Sequence, residues 1–373
     1  MSVNFGFWIL DFGFRAAATQ RPRRHGMSIL EVMFAILVTA IGLLGAIAVI
    51  PVANSAARKG LRNDYAAVMG PNAFHAFDSR GLRNPRNWMA FNTTAGQWQP
   101  FAPVFGESYC FDPRFVAVNG AAPTVQGNPN FFPYSLVGGP RMRRLTVFSG
   151  VYSGGGLPIP ATPILANDWF GFPDDLLYDR PKDLAARQLF DSSSNGTLVT
   201  SRQSEGMFSW MATVTPRVDR HTMAPTTECV LSVVVFHQRP ADLSMNAENE
   251  RVLNIISMPS GGVTGGEVQL AADNPNALKL RPNDWLMLGG TARTLLNPPN
   301  ATPFRDDTEF KWYRVVDCDP EVDQPSPGVY TRFVSLTGQD WNPEYITATG
   351  FPQATIVEGV VGVYEKTVHL ELN

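Results

Sequence analysis

Between Met27 and Ala57 the only ionisable side chain is Glu31, and Val32 to Ile50 is a run of nineteen uncharged, mostly apolar residues. As a helix rising about 1.5 Å per residue this run spans about 28 Å, close to the hydrocarbon thickness of a bilayer, so the pattern predicts one membrane-crossing helix. Pro51 follows and, by removing one backbone donor, is expected to kink it. Beyond the proline, Ala57, Leu61, Tyr65, Val68 and Met69 recur at helical spacing among Arg58, Lys59, Arg62 and Asp64. That predicts an amphipathic continuation whose apolar stripe lies on a sheet. Gly70-Pro71 should interrupt the helix, with Ala73, Phe74 and Phe77 carrying the stripe on towards Gly81.

The pattern then changes period. Residues 82 to 140 are dense in Pro, Gly, Asn and aromatics, which predicts loops and brief strands, one of them at Phe115 to Val118. Strands are expected at Arg144 to Ser149, Phe208 to Thr215 and Cys229 to His237. The last is apolar on both faces and so reads as a central strand. Asp174 to Leu189, opening on Asp174-Asp175 as an acidic first turn, is the one helix expected outside the spine. From about residue 279 a regular series follows: Asp284 to Leu288, Lys311 to Val316, Tyr330 to Leu336, and Ala354 to Leu372 split near Gly359 or Gly362. The fold class is therefore α+β, a long N-terminal helix followed by a large β-rich head with a C-terminal small β barrel or sandwich. The divisions are 27–80 for the membrane and spine helix, 81–260 for the head and 277–373 for the C-terminal all-β subdomain. Asn254 to Asn276 is either a linker or a long hairpin.

Charge refines this picture. With 30 Lys+Arg against 33 Asp+Glu the formal charge is −3, which offers no general attraction to nucleic acid. The average hides an asymmetry: residues 1–26 carry Arg15, Arg21, Arg23 and Arg24 against Asp11 alone, a local +3. A basic stretch before the apolar run places the N-terminus in the cytoplasm and the head outside, although Arg58, Lys59 and Arg62 on the far side oppose that bias. Glu31 is discordant. A charge in the apolar part of a membrane helix costs on the order of 3 kcal/mol, so its carboxylate calls for a partner.

The segment RRHGMSILEVMFAILVTAIGLLGAIAV resembles the type IV prepilin signature of pilins and type II secretion pseudopilins: a basic leader, Gly26, four small or apolar residues, Glu31 and an uncharged helix. The Ala40-Ile41-Gly42-Leu43-Leu44-Gly45 block is further similar to minor pilins of the pilus-modification class. The resemblance covers about residues 20 to 80. Met27 stands where Phe is commoner, and the leader is long and aromatic, with Phe5, Phe7, Trp8, Phe12 and Phe14. It implies a leader of residues 1–26, removed by a membrane prepilin peptidase that cuts after Gly26 and methylates the amino group of Met27. Glu31, fifth from the new terminus, would then pair in the apolar filament core with the Met27 ammonium of a neighbouring subunit, so that neither charge stands alone. The implied protein is a structural minor pilin or pseudopilin. Its implied partners are the peptidase, the inner membrane and other pilin or pseudopilin subunits. Its implied address is a single-pass inner-membrane protein with a pilin-like head outside, later part of a type IV pilus or a type II secretion-like filament. The alternative from another class is a single-pass, membrane-anchored extracytoplasmic adhesion or ligand-binding protein.

Little else in the chain suggests chemistry. His25, His75, His221, His237 and His369 lack metal-ligand spacing, and no G-x-S-x-G elbow, P-loop or G-x-G-x-x-G after a strand occurs, so no catalytic or cofactor-binding residue is expected. Asp317, Asp319, Glu321 and Asp323 alternate as a candidate calcium loop. Pro320 stiffens the spacing, however, and no Gly followed by a bidentate Glu is present, so a solvated acidic turn is the preferred reading. Three cysteines, Cys110, Cys229 and Cys318, are too few for a disulfide scaffold. Export permits a bridge but no pairing is preferred, and Cys229 reads as a buried strand residue. The 24 Phe against 8 Trp indicate core packing rather than glycan contact.

Overall fold

The computed structural model describes residues 28–104, 106–120, 127–134, 139–172, 190–192, 198–200, 208–218, 225–239, 249–295, 304–341 and 350–371. In chain order its elements are helix α1 (Ile29–Ser79), strands β1 (Trp88–Asn92), β2 (Gln97–Pro100) and β3 (Tyr109–Phe111), helix α2 (Pro113–Asn119), strands β4 (Phe131–Phe132), β5 (Met142–Tyr152) and β6 (Pro158–Pro160), and helix α3 (Pro163–Phe170). Strands β7 (Phe190–Ser192), β8 (Leu198–Thr200), β9 (Phe208–Val218), β10 (Pro225–His237), β11 (Glu250–Ser257), β12 (Gly265–Ala272), β13 (Trp285–Leu295) and β14 (Phe304–Cys318) follow. The last are β15 (Asp323–Ser326), β16 (Val329–Thr337), β17 (Gly350–Val357) and β18 (Val360–His369). The expected helix at Asp174 to Leu189 lies outside the described residues.

The chain divides into two compact units, residues 1–59 and 60–373. In the first, the described part is the opening of α1, where Ser28 accepts from the Glu31 and Val32 N–H groups through its carbonyl, and every residue from 28 to 59 is exposed. In the second unit, Ala66, Met69, Gly70, Ala73 and Phe77 of α1 are buried against a sheet. Met69, Ala73 and Phe77 of the expected stripe are among them, but its first part is corrected, since Leu61, Tyr65 and Val68 are 59%, 54% and 57% exposed. At Ala66, Gly70 and Ala73 the contact positions are taken by small residues, interleaved with the larger Met69 and Phe77. A Cβ added at Gly70 would run into the Tyr364 ring of β18. The expected break at Gly70-Pro71 is also corrected, because α1 passes through it and through Pro51. Pro71 removes the bond to the carbonyl of Ala67, but Ala67 is exposed and water can satisfy that group.

The sheet beneath α1 runs β18-β10-β9-β3-β5-β1-β2, with β4 and β6 added to β5, and β3–β5 is parallel. β10 is central, as its two apolar faces require: Leu231, Val233 and Val235 join the α1 cluster, while Val234 and Phe236 face the other way. On that second side lies a barrel of six strands, β12-β11-β17-β13-β14-β16, closed by β12 pairing β16 from Gly265–Thr337 to Ala272–Tyr330. Leu253, Val268, Leu286, Leu288, Tyr313, Val334 and Ile356 fill it. Alternation sends Met287 and Trp312 outwards, onto Cys110, Met211, Val234 and Phe236 of the sheet. The second unit is thus layered as helix, sheet and barrel.

The barrel begins at Glu250 and ends at Val357, so Asn254 to Asn276 contributes the β11–β12 hairpin rather than a linker. The chain then returns through Glu358 and Gly359 into β18, which pairs with β10 in the first sheet. The barrel is therefore inserted between β10 and β18, and the expected block 277–373 gives its last strand to the other sheet. Residues Phe115 to Val118, expected as a strand, lie in α2: Asp112 caps its N-terminus by accepting from Phe115 N–H, and Pro113 fits the first turn.

Candidate functional site

The structure presents two places where side chains depart from ordinary surface or core. The first is the opening of α1. Ile29, Leu44 and Val52 are 81%, 75% and 67% exposed, and large apolar residues cover every side of the helix from Ile29 to Val52. Such a surface is far larger than a soluble monomer leaves open, and the helix is long and apolar enough to cross a membrane. Val32, Ile50 and Pro51 all lie on this exposed helix, and Glu31 is the acidic residue of its first turn, where a carboxylate favours the positive end of the helix dipole. Gly26 and Met27 lie outside the described residues.

The second place is a buried ionic cluster where sheet meets barrel. Arg144 enters from β5 with its side chain fully buried. Its Nη1 donates to Asp112 Oδ2 at 2.8 Å, and its Nη2 to Glu250 Oε1 and Oε2 at 2.6 and 2.9 Å. Arg239, just past β10, donates from both terminal nitrogens to Asp112 at 2.8 and 2.6 Å. The Tyr134 N–H donates to Glu250 Oε2 at 3.0 Å. The flat faces of the guanidiniums lie on aromatic rings, Arg144 3.7 Å from the Phe115 centroid and Arg239 4.4 Å from that of Phe236. Two cations and two carboxylates thus close on one another, as buried charges must. Burial alone would raise the Asp112 carboxyl, but Arg239 and Arg144 outweigh it and hold it below its ordinary value. For Arg144 burial works downwards, and Glu250 and Asp112 reverse it.

Because Glu250 opens β11 and Arg144 sits in β5, the cluster ties barrel to sheet, and the Trp312 indole N–H adds a second tie to Thr213 Oγ1 at 3.2 Å. Arg114 sits beside it on α2, its Nε on Asn167 Oδ1 at 2.8 Å and its Nη1 buried without a hydrogen-bond partner among the described residues. Burial first, then Arg239, pushes its pKa down to about 10. Every carboxylate of the cluster is already engaged by a guanidinium, so the arrangement fixes two layers and leaves no base exposed for proton transfer.

The members of this cluster lie up to 138 residues apart, Asp112 from Glu250, beyond the reach of a local pattern. The one local signal was Arg144 within a strand run that is otherwise apolar and small. Of the acidic alternation, Asp317 ends in β14, Asp319 and Glu321 in the following turn and Asp323 in β15. The Asp317 carboxylate accepts from the N–H of Cys318 at 2.9 Å. Among the described residues no three His, Cys, Asp or Glu side chains converge as a metal site. All three cysteines are free thiols, and burial raises Cys110 strongly and Cys229 to about 11, which keeps both protonated and unreactive. Comparison of the chain with protein-family models, with curated proteins and with solved structures found no match.

Proposed function

We propose that this chain is a structural minor pilin or pseudopilin. It is cut after Gly26, held in the inner membrane by the first half of α1 and built into a type IV pilus or type II secretion-like filament with its head outside the cytoplasm. The observation that carries the reading is α1 itself: one unbroken helix, apolar on all sides at its start apart from Glu31, then settled on a β sheet through Ala66, Met69, Gly70, Ala73 and Phe77. A helix of that kind needs a bilayer at one stage and other copies of itself at another, and a lone carboxylate near its start needs a cation in both. The basic leader before Gly26 supplies the matching cut.

Mass spectrometry of the mature N-terminus in cells containing a prepilin peptidase tests the cut. A chain beginning at Met27, with its amino group methylated, is expected. An intact Met1 start would return the protein to the anchored-adhesin reading. In the same cells Glu31→Val is expected to be cut normally yet to be lost from sheared filaments, since a Met27 ammonium is left unpaired. Equal filament recovery of both proteins would remove the pairing role.

A further inference from the structure

Between the start of β11, the β17–β18 turn and the loop joining β12 to β13 lies an open groove of about 1060 Å³. That is at the upper end of the volumes typical of small-ligand sites. Its rims are bridged by one side chain. Arg251 Nη1 donates to the carbonyls of Asn276, Ala277 and Lys279, each at 3.2 Å, and Nη2 pairs with Glu358 Oε1 at 2.6 Å. Its Nε is buried without a hydrogen-bond partner among the described residues. Trp285, half-buried, stands in the wall with its inner side packed on the cluster that joins barrel and sheet. Around it are exposed Asp273, Asn276, Lys279 and Arg281 and the half-buried Asp284.

We propose that this groove binds a neutral oligosaccharide. A pyranose ring has an apolar C–H face and a rim of hydroxyls that both donate and accept. An indole face flanked by carboxylates, an amide and cations answers each of those features. The other ligand classes fit less well. Polyanions meet a lining with no net positive charge: Glu250 is spent on Arg144, and the three cations Arg251, Lys279 and Arg281 are matched by Asp273, Asp284 and Glu358. A peptide added as a strand finds only the short stretch of β11 from Glu250 to Leu253 without a β12 partner, and there the Arg251 side chain is already bonded to the carbonyls of Asn276, Ala277 and Lys279. An amphipathic helix finds no continuous apolar row: Ile356 and Val357 are 3% and 5% exposed, and the half-buried Val252 and Val360 stand beside the charged Arg251 and Glu358. The assignment rests on the groove alone and is independent of the filament reading.

The test uses the full-length protein in micelles of a detergent without a sugar head group. Maltotriose, cellotriose, chitotriose and mannotriose are titrated by calorimetry, with trigalacturonic acid as the charged counterpart. Saturable binding of at least one neutral trisaccharide is expected. Trp285→Ala should weaken it about tenfold or more, as loss of an aromatic anchor does. Asp273→Ala, an exposed position whose loss leaves the core untouched, should weaken it at an unchanged melting temperature. No binding by any of the four sugars, binding unaffected by both substitutions, or tighter binding of trigalacturonic acid than of every neutral sugar would each overturn the proposal.

Discussion

Arg144 is a fully buried cation with two carboxylates on its terminal nitrogens and aromatic rings against its faces. The value of such a group depends on its partners being present. Glu250→Leu leaves a guanidinium half-paired in the dry junction and is expected to cost about 3–5 kcal/mol. Replacing both members, Arg144→Met with Glu250→Leu, removes the orphan and fills the space, while Asp112 keeps its bidentate pair with Arg239. The double variant is therefore expected to be more stable than Glu250→Leu alone. Urea titration in micelles of wild type, Arg144→Met, Glu250→Leu and the double variant checks it, and additive losses would show that the pair is not coupled.

At the scale of elements, glycine positions along α1 separate two kinds of surface. Gly60 has open space around it, so Gly60→Ala only improves helix propensity and should gain about 0.5–1 kcal/mol. Gly70→Val instead drives a side chain into the Tyr364 ring and should lose about 1–3 kcal/mol by overpacking. Thermal melts of the two variants should move in opposite directions. That contrast also explains what was legible in the chain. The two apolar faces of β10 were readable because strand alternation is local, and its neighbours β9 and β18 bear it out. Of the α1 stripe, Met69, Ala73 and Phe77 are legible and buried, whereas hydropathy also favours Tyr65 and Val68, in whose place Ala66 and Gly70 meet the sheet. At Phe115 to Val118 the aromatic and β-branched residues suggested a strand, and a cap from Asp112 with Pro113 overrode them. The ionic cluster and the groove were illegible because each gathers residues more than a hundred positions apart.

In the whole molecule, sheet and barrel share a third apolar cluster besides their own cores. Phe310 is 5% exposed in it and faces Gly289 and Pro140. With that interface intact, calorimetry of the full chain should show one transition for the head. Phe310→Asp places a charge between the layers without touching the barrel lining of Leu286, Leu288 and Tyr313, and is expected to split the transition in two. A single peak in both proteins would mean that the layers unfold together for reasons other than this contact.

The placement of β18 has a consequence in time. The strand that seats Gly70 through Tyr364 is the last to be made, and 290 positions separate Ser79 from His369. At synthesis rates of about 5–20 residues per second, roughly 15–60 s pass between the appearance of the helix face and of the strand that completes its seat. Until then β10 has an open edge, and the barrel must be finished before that edge can be covered. In a nascent chain the long apolar helix is therefore complete long before its seat can close. A message broken between β10 and β18 yields a chain that keeps the long apolar helix but carries an unpaired strand, a target for proteolysis.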